Sequence, residues 1–193
     1  MYDAICLSSG GLDSTVCLHL LRERGVNALP VYVNYGQRNH TREWGALSAA
    51  CKFNQFPSPI SFEFPSFGAI IKSGLTDSTL RVNEDAFTPT RNLLFLVLAG
   101  AVASSKGVRN VVLGFLTERT AIFPDQTNRF IKATQLALTE SLGIEIEIHC
   151  PLRDMTKQDV LALARSRGIS DFYSCHSGTE VPCGKCIACL EYT

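Results

Sequence analysis

The segment that decides the fold reads SSGGLDST and begins at residue 8. A short apolar run, Ala4 to Leu7, precedes it, and apolar residues then recur at helical spacing as far as Gly25. The pattern predicts a strand, a glycine-rich turn and a helix that starts at Ser14. The turn consists of Ser8, Ser9, Gly10, Gly11, Leu12, Asp13, Ser14 and Thr15.

The chemistry of this turn favours phosphate binding. Two glycines let the backbone come close to an anion, serine hydroxyls add donors, and the start of a helix attracts negative charge. The turn is neither a Walker loop, whose lysine is absent, nor a G-x-G-x-x-G loop. The alternative interpretation is a plain glycine-rich turn in which Ser14 is the helix N-cap.

Strand and helix patterns alternate along the rest of the chain, which predicts an α/β domain with an open, mostly parallel sheet over residues 1–193. The segment from Phe64 to Thr90 is predicted to be a long loop that serves as a lid or binding loop. Thr156 and Asp159 resemble a capping box at the start of the last long helix. The predicted later strands are Ala28–Val33, Ile60–Phe64, Asn110–Gly114 and Ile144–His149. The last of these is predicted at a sheet edge because polar and apolar residues alternate in it. The predicted later helices are Arg42–Lys52, Arg91–Lys106, Gln126–Leu142 and one ending near Gly168.

The overall composition is that of an ordinary globular protein. Hydrophobic residues make up 46% of the chain, and 18 basic residues balance 18 acidic ones. This balance argues against extended nucleic-acid binding. The start of the chain lacks the basic region of a signal peptide, and the longest apolar stretch, Leu93 to Ala103, is about half the length of a membrane span. The predicted location is the cytoplasm, with no membrane partner.

The cysteines fall into two groups. Four of the eight, Cys6, Cys17, Cys51 and Cys150, are isolated in apolar segments and are predicted to be small buried hydrophobes. The other four crowd near the end of the chain with the spacing C-x7-C-x2-C-x2-C, and glycines between them permit tight turns. These four are Cys175, Cys183, Cys186 and Cys189.

The four crowded cysteines over residues 175–189 predict a small zinc knob, because four thiolates at short spacing suit tetrahedral Zn²⁺. Two alternatives are disulfides, which a reducing cytoplasm disfavours, and an iron–sulfur cluster. His176 is an alternative ligand in place of Cys175. We expect the knob to anchor the C-terminal segment rather than to bind nucleic acid.

The residues Ser9 to Ser14 resemble the S-G-G-x-D-S motif of the PP-loop ATP pyrophosphatases, whose fold is Rossmann-like and adenine-nucleotide alpha-hydrolase-like. This resemblance implies that the turn holds the β- and γ-phosphates of ATP as a leaving pyrophosphate, with Mg²⁺. The substrate would then attack the α-phosphate and form an adenylate. Asp13 would help to place ATP or its metal.

Further motifs are Tyr35-Gly36-Gln37-Arg38, Arg91-Asn92, Pro124-Asp125 and the terminal cysteines. Together they resemble the 7-cyano-7-deazaguanine synthase (QueC) family, and the resemblance extends from Ala4 to Cys189. In that family the carboxylate of 7-carboxy-7-deazaguanine is adenylated, ammonia gives the amide, and a second ATP-dependent step dehydrates the amide to the nitrile. Homodimers are common in the family.

This sequence departs from the family pattern where the substrate is expected to bind. Residues 119–127 read RTAIFPDQT in place of an aspartate-aromatic-SGYPDCR pattern, so Arg119 inverts a charge and only Phe123, Pro124 and Asp125 match. Phe123 would stack on a heterocycle and Asp125 would accept from its donor edge. Because of these departures, a second hypothesis is that the chain joins the activated deazapurine carboxylate, or another acid, to an amine other than ammonia, such as an amine on a protein. A third is a nucleotide-binding or zinc module without catalysis.

The candidates for contacting the phosphates are Arg38, Arg91 and Lys157, since each lies near a predicted strand end or helix start. The alternative interpretation of these residues is ordinary surface charge. The candidate catalytic set is Asp13, Ser14, Arg91 and Lys157, while Arg38 is a candidate for ATP binding only. The four histidines lack motif partners and are predicted to be surface or hydrogen-bonded residues; they are His19, His40, His149 and His176.

Overall fold

The computed structural model describes residues 1–192 and contains a five-stranded, entirely parallel sheet. Thr193, the last residue of the predicted domain, lies outside the described residues. The strands are β1 (Ala4–Leu7), β2 (Ala28–Asn34), β3 (Ile60–Glu63), β4 (Asn110–Val112) and β5 (Glu147–His149). The central strands β1 and β2 are almost entirely buried, as in other parallel sheets covered on both faces, whereas the edge strand β3 is mostly exposed.

Helices connect the strands, and two 3-10 turns follow β4, at Glu118–Thr120 and Pro124–Gln126. The helix α4 runs over the predicted residues, from Arg91 to Lys106, and ends at Gly107 in a left-handed conformation. The helices are α1 (Leu12–Glu23), α2 (His40–Phe53), α3 (Pro65–Ile70), α4 (Arg91–Lys106), α5 (Asn128–Leu142), α6 (Lys157–Ser166) and α7 (Ile187–Leu190).

The strand order β3-β2-β1-β4-β5 confirms the predicted open α/β sheet and places β5 at an edge. The chain winds outward from β1 to β3 and then returns to β4 on the other side of β1. The strand order therefore reverses between β1 and β4. In such sheets a crevice opens at the carboxyl ends of the strands beside the reversal, and ligands bind there.

Two apolar layers cover the two faces of the sheet. Side chains of β1 alternate between them, so that Cys6 packs with α1, α2 and α6 while Ile5 packs with α4 and α5. The predicted burial of the isolated cysteines is confirmed for Cys6, Cys17 and Cys51, and Cys150 is half-buried. The layers fix the sheet and leave its carboxyl edge to the loops.

Several predicted boundaries of helices and loops were wrong. The helix α1 begins at Leu12 instead of Ser14, because Gly11 takes the N-cap position without a side-chain cap. The helix α5 begins after Thr127, whose hydroxyl accepts a hydrogen bond from the Phe130 N–H. The predicted long loop contains the short helix α3, which has Pro65 in its first turn.

Other predicted bounds shift by a few residues. The helix α2 extends beyond Arg42–Lys52 at both ends, and β3 and β4 stop one and two residues early. The strand β5 is limited to Glu147–His149, although Ile146 before it is fully buried. The capping box at α6 is confirmed, since Thr156 and Asp159 bond each other's backbone N–H groups. Within residues 1–192, the structure has no helix that is both long and apolar enough to cross a membrane.

Candidate active site

A cavity of about 610 Å³ opens at the carboxyl ends of β1, β2 and β4, within the size range of small-molecule sites. Its walls come from the predicted phosphate turn, from the segment after β4 and from the end of the chain. Much of the predicted site lines it: Ser8, Ser9, Gly11, Leu12, Asp13, Ser14, Arg91, Phe123 and Lys157.

The phosphate turn is held in shape by its own serines and by helix α2. Ser14 accepts a hydrogen bond from the Ser9 N–H at 3.2 Å and donates one to the Gly11 carbonyl at 3.1 Å. Gly10 has a φ of +76°, and a Cβ there would lie 2.4 Å from the Glu43 carbonyl oxygen. Glycine is required at position 10 because α2 crosses so close to the turn.

Gly10 and Thr15, both predicted to bind ATP, do not line the cavity as far as the chain is described. Gly10 shapes the turn from behind. Thr15 is fully buried, and its Oγ1 has no hydrogen-bond partner. Their predicted contact with ATP stays a prediction.

Lys157 and Asp13 join the two ends of the domain at the cavity. Lys157, the first residue of α6, places Nζ 2.8 and 2.7 Å from the two Asp13 carboxylate oxygens and 3.1 Å from Glu191 Oε2. Burial alone would lower the pKa of Lys157, but Asp13 and Glu191 outweigh burial and raise it. Lys157 is therefore a cation at neutral pH, beside the turn suited to phosphate.

A half-buried carboxylate, that of Glu43, lies on another wall and was missed by sequence reasoning. Glu43 Oε2 accepts hydrogen bonds from Tyr32 Oη at 3.2 Å and Gln37 Nε2 at 3.0 Å, and its Oε1 accepts one from Asn39 Nδ2 at 2.9 Å. Burial raises the pKa of Glu43, and these donors oppose the rise. No sequence motif distinguishes Glu43, since its partners lie up to eleven residues away and face it only in the fold.

Arg91 forms the wall at the start of α4. Its Nη1 donates to Tyr35 Oη at 3.2 Å and its guanidinium lies over the Tyr35 ring, while its Nε is buried without a hydrogen-bond partner. A ligand oxygen would satisfy Nε. Thr90 before it adopts a left-handed conformation with φ of +60°, which turns the chain sharply into the helix.

Of the three predicted substrate residues, the structure places one in the cavity wall. Phe123 lines the cavity and packs against Phe87 with ring centroids 5.2 Å apart. Asp125 is half-buried behind it, and its Oδ1 is buried without a partner. Arg119 is exposed in the first 3-10 turn. Within the described chain, neither Asp125 nor Arg119 forms part of the cavity wall.

Arg38 also lies away from the wall that residues 1–192 form. Its Nη1 donates to the Gly74 carbonyl at 3.2 Å, so the guanidinium supports the loop between α3 and α4. The geometry gives Arg38 a structural contact, and its predicted contact with ATP remains a prediction.

His176 lines the cavity, and its prediction as a surface or hydrogen-bonded residue was wrong. Its Nδ1 is buried without a hydrogen-bond partner. Burial and, to a lesser extent, the charges of Arg91 and Lys157 together lower the pKa of the imidazole to about 4. The ring is therefore neutral at neutral pH. The other three histidines fit the prediction, for example His149, which bonds Asn110 at the exposed edge.

The four terminal cysteines converge on one point, with their sulfur atoms all within 4.8 Å of one another. Four thiolates around a single zinc ion, at Zn–S bonds of about 2.3 Å, have sulfurs about 3.8 Å apart, and the Cys183 and Cys189 sulfurs are 3.9 Å apart. An iron–sulfur cluster would hold its thiolates farther apart, since they bind different irons: one thiolate per iron in a [4Fe–4S] cluster and two per iron in a [2Fe–2S] cluster. His176 does not belong to this group, and Cys175 does.

The environment of the cluster favours the thiolate form of Cys175 and Cys183, whose pKa values hydrogen bonds lower, whereas burial raises the pKa of Cys186 and Cys189. Burial alone would raise the pKa of the Cys175 thiol, but hydrogen bonds from the Cys183 N–H, the Thr179 hydroxyl and the Ser177 N–H lower it to about 5. All four cysteines are free of disulfides. The cluster can therefore hold a metal ion.

The knob contacts the cavity wall at several points. The Tyr173 N–H donates to the Gly10 carbonyl at 2.8 Å, and Ser174 Oγ accepts from the Leu12 N–H at 3.4 Å. Asn83, in the loop before α4, donates to the Lys185 carbonyl and accepts from the Ile187 N–H at 2.7 Å. The knob and the two residues before it therefore hold both the phosphate turn and the loop before α4 in place.

Comparisons of the fold place the chain beside tRNA-modifying proteins. The structure is similar to the U34-tRNA thiolase NcsA of Methanococcus maripaludis, which was solved with its [4Fe-4S] cluster (TM-score 0.62, 18% identity, covering 94% of this chain and 61% of that one). It is also similar to a 4-thiouridine synthetase solved with RNA and ATP (TM-score 0.57, 17% identity, covering 87% and 41%). At such identities the likeness shows a shared PP-loop fold.

Sequence comparisons are more specific. A relative in Nautilia profundicola named 7-cyano-7-deazaguanine synthase is 30% identical, covering 98% of this chain and 90% of its own. One of the same name in Chromobacterium violaceum is 32% identical, covering 96% and 85%. The family model described as "Queuosine biosynthesis protein QueC" matches residues 3–192. The chain therefore belongs to the QueC family.

Proposed function

We propose that this chain is an ATP-dependent carbon–nitrogen ligase that converts 7-carboxy-7-deazaguanine and ammonia, through the amide, to 7-cyano-7-deazaguanine. The strongest support is the convergence of the phosphate turn, Asp13 and Lys157 at one end of a cavity that continues to Arg91 and Phe123. Relatives that match nearly the whole chain carry the name of this activity.

In the proposed first step, a carboxylate oxygen of the acid attacks the α-phosphorus of ATP, and the bond to the leaving pyrophosphate breaks. The N–H groups and hydroxyls of the phosphate turn would hold the β- and γ-phosphates, and Lys157 would balance their charge. The carboxylate of Asp13 suits an oxygen-liganded Mg²⁺ beside the phosphates. Bound Mg²⁺ would neutralise charge on the leaving group.

In the second step, ammonia attacks the activated carbonyl carbon and AMP leaves, which gives the amide. A second ATP would then activate the amide oxygen. That oxygen leaves within AMP, and loss of two protons from nitrogen gives the nitrile. Phe123 would stack on the flat heterocycle, and Arg91, whose Nε is unpaired, lines the same cavity. Asp125 would accept from the heterocycle only if it turns toward the cavity.

For the cysteine cluster we propose Zn²⁺ bound by Cys175, Cys183, Cys186 and Cys189. The closeness of the sulfurs supports a single tetrahedral ion with no open position, which stabilises the fold and takes no part in the chemistry. A reducing cytoplasm suits four such free thiols. Homodimerisation stays a prediction from the family resemblance.

A second candidate is ligation of the activated acid to an amine other than ammonia, such as an amine on a protein. The segment that departs from the family pattern forms one rim of the cavity: Thr120 and Ala121 line it, and Ile122 is 62% exposed. A large amine would approach through this rim. A non-catalytic nucleotide-binding or zinc module remains the third candidate, and substrate-dependent AMP formation would reject it.

The test is to incubate metal-loaded protein with Mg-ATP and 7-carboxy-7-deazaguanine, with and without ammonium, and to follow nucleotides and deazapurines by mass spectrometry. AMP together with amide or nitrile supports the ligase. AMP or adenylate without either product supports a different amine, and free nitrile as the sole product rejects that second candidate. The absence of any turnover rejects the proposed substrate.

A further inference from the structure

His176 is a side chain in the cavity wall to which the reaction outlined above assigns no role. It follows the metal-ligand candidate Cys175 directly and faces the cavity. Its buried Nδ1 has no hydrogen-bond partner among residues 1–192. Buried polar atoms in folded proteins are nearly always paired, so an unpaired one in a cavity indicates a group that a ligand completes.

The position of His176 is fixed by the knob. Its backbone N–H is hydrogen-bonded to the Cys186 sulfur, and the Gly178 N–H closes the turn on the Cys175 carbonyl. Gly178 itself packs so closely on the backbone of Arg38 that a Cβ would lie 2.4 Å from the Arg38 carbonyl oxygen. The imidazole is therefore held in one place relative to the rest of the wall.

The surroundings of His176 indicate what it would bind. Arg91 and Lys157 also line the cavity. Lys157 Nζ is paired with Asp13 and Glu191, whereas Arg91 Nε, like His176 Nδ1, is buried without a hydrogen-bond partner in the described chain. A ligand oxygen that accepts from these unpaired donors would complete this part of the wall, and a carboxylate supplies such oxygens.

We propose that His176 is a substrate-binding residue whose Nδ1–H donates a hydrogen bond to the carboxylate oxygen of the acid that is adenylated. This inference rests on the proposed function. The bond would orient the carboxylate toward the α-phosphate of ATP, between Arg91 and Lys157. After adenylation the same donor faces the carbonyl oxygen, on which negative charge develops when the amine attacks.

The test compares three substitutions of His176 that differ in where they place a hydrogen-bond donor. Asparagine places an amide N–H near the position of Nδ1, glutamine places it near Nε2, and phenylalanine keeps the ring without a donor. We expect His176→Phe and His176→Gln to raise the KM for the acid and to weaken its binding roughly 10- to 100-fold, as loss of a hydrogen bond to a charged group does. His176→Asn should recover most of this loss, and binding of ATP alone should stay within about twofold.

Two controls separate binding from folding. Metal content and thermal melting should equal those of the wild type in all three variants, and His149→Phe, at the exposed sheet edge, should leave every readout unchanged. If His176→Phe destabilises the knob, the comparison of His176→Asn with His176→Gln still tests whether a donor at the Nδ1 position is needed, since both replacements are polar and close in size. Equal effects of these two would overturn the inference.

The outcome also separates this inference from the proposed function. If the wild type binds and converts 7-carboxy-7-deazaguanine while His176→Phe binds it equally well, the inference fails and the proposed function stands. If calorimetry with a non-hydrolysable ATP analogue shows no binding of the acid to the wild type, both fail.

Discussion

Lys157 and Asp13 are 144 residues apart in the chain, yet Lys157 Nζ lies 2.8 and 2.7 Å from the two Asp13 carboxylate oxygens. Helix α6 and the phosphate turn therefore meet at one charged contact on the cavity wall. The lysine is also held by Glu191 from the end of the chain. Three segments that are remote in sequence thus depend on this contact.

Asp13→Asn should reduce substrate-dependent AMP formation by roughly 100-fold or more, because it removes the charge that would hold Mg²⁺ and orient Lys157. The melting temperature should change little, since Glu191 still pairs with Lys157. AMP release measured by chromatography checks the first point. Asp154→Asn, an exposed carboxylate, is the matched control. A normally active Asp13→Asn variant would remove the turn from the mechanism.

Thr156→Ala should destabilise the protein by ~1 kcal/mol, as loss of an N-cap does. The rate of AMP formation should fall by more than the unfolded fraction accounts for, because the cap fixes the first turn of α6, which carries Lys157. Urea denaturation measures the first effect, and AMP formation well below the unfolding range measures the second. Thr41→Ala, at an exposed position in α2, is the control. Equal behaviour of the two variants would contradict the role of the cap.

The same cap predicts a pH dependence. Hydrogen bonds from the Thr156 hydroxyl and N–H lower the pKa of Asp159 from its ordinary value of 3.8. A carboxylate whose folded-state pKa is lowered stabilises the fold fully above its unfolded-state value, and this contribution disappears as pH falls through the folded-state value. Wild type and Asp159→Asn should therefore differ in stability at pH 6 and converge below about pH 4. A constant difference across this range would contradict the prediction.

Metal removal should loosen both the knob and the cavity wall, because Tyr173 and Ser174 bond the phosphate turn. After chelation, or in Cys186→Ser, hydrogen exchange should increase in residues 172–192 and in the turn, and ATP affinity should fall. Cys150→Ser, outside the cluster, should keep its metal. Unchanged melting after verified removal of the metal would show that the ion does not stabilise the fold.

Phe123→Ala should weaken binding of the deazapurine acid roughly tenfold or more, the usual scale of losing an aromatic stacking partner. Binding of ATP alone should be unaffected if the nucleotide occupies the end near Asp13. Calorimetry with each ligand separates the two effects. Phe53→Ala is the control, since Phe53 is 83% exposed. An equal loss for both ligands would place Phe123 in the nucleotide site instead.

Much of the fold followed from local patterns. The alternation of strand and helix patterns predicted the parallel sheet, and α4 matched its predicted bounds because its apolar residues and Gly107 are local signals. The terminal cysteines were also identified from spacing alone. Boundaries such as the start of α1 failed because the turn is shaped by contact with α2, which no local pattern reports.

The sequence by itself determined the order of strands and helices, the phosphate turn and the cysteine cluster, because each depends on residues close together in the chain. The tertiary structure decided which polar groups meet in the cavity. It brought Lys157 to Asp13, surrounded Glu43 with hydrogen-bond donors and placed His176 in the cavity wall. Among residues 1–192 it kept Arg38 and Arg119 out of that wall. These contacts depend on how helices pack across the sheet, where side-chain direction is fixed by distant residues.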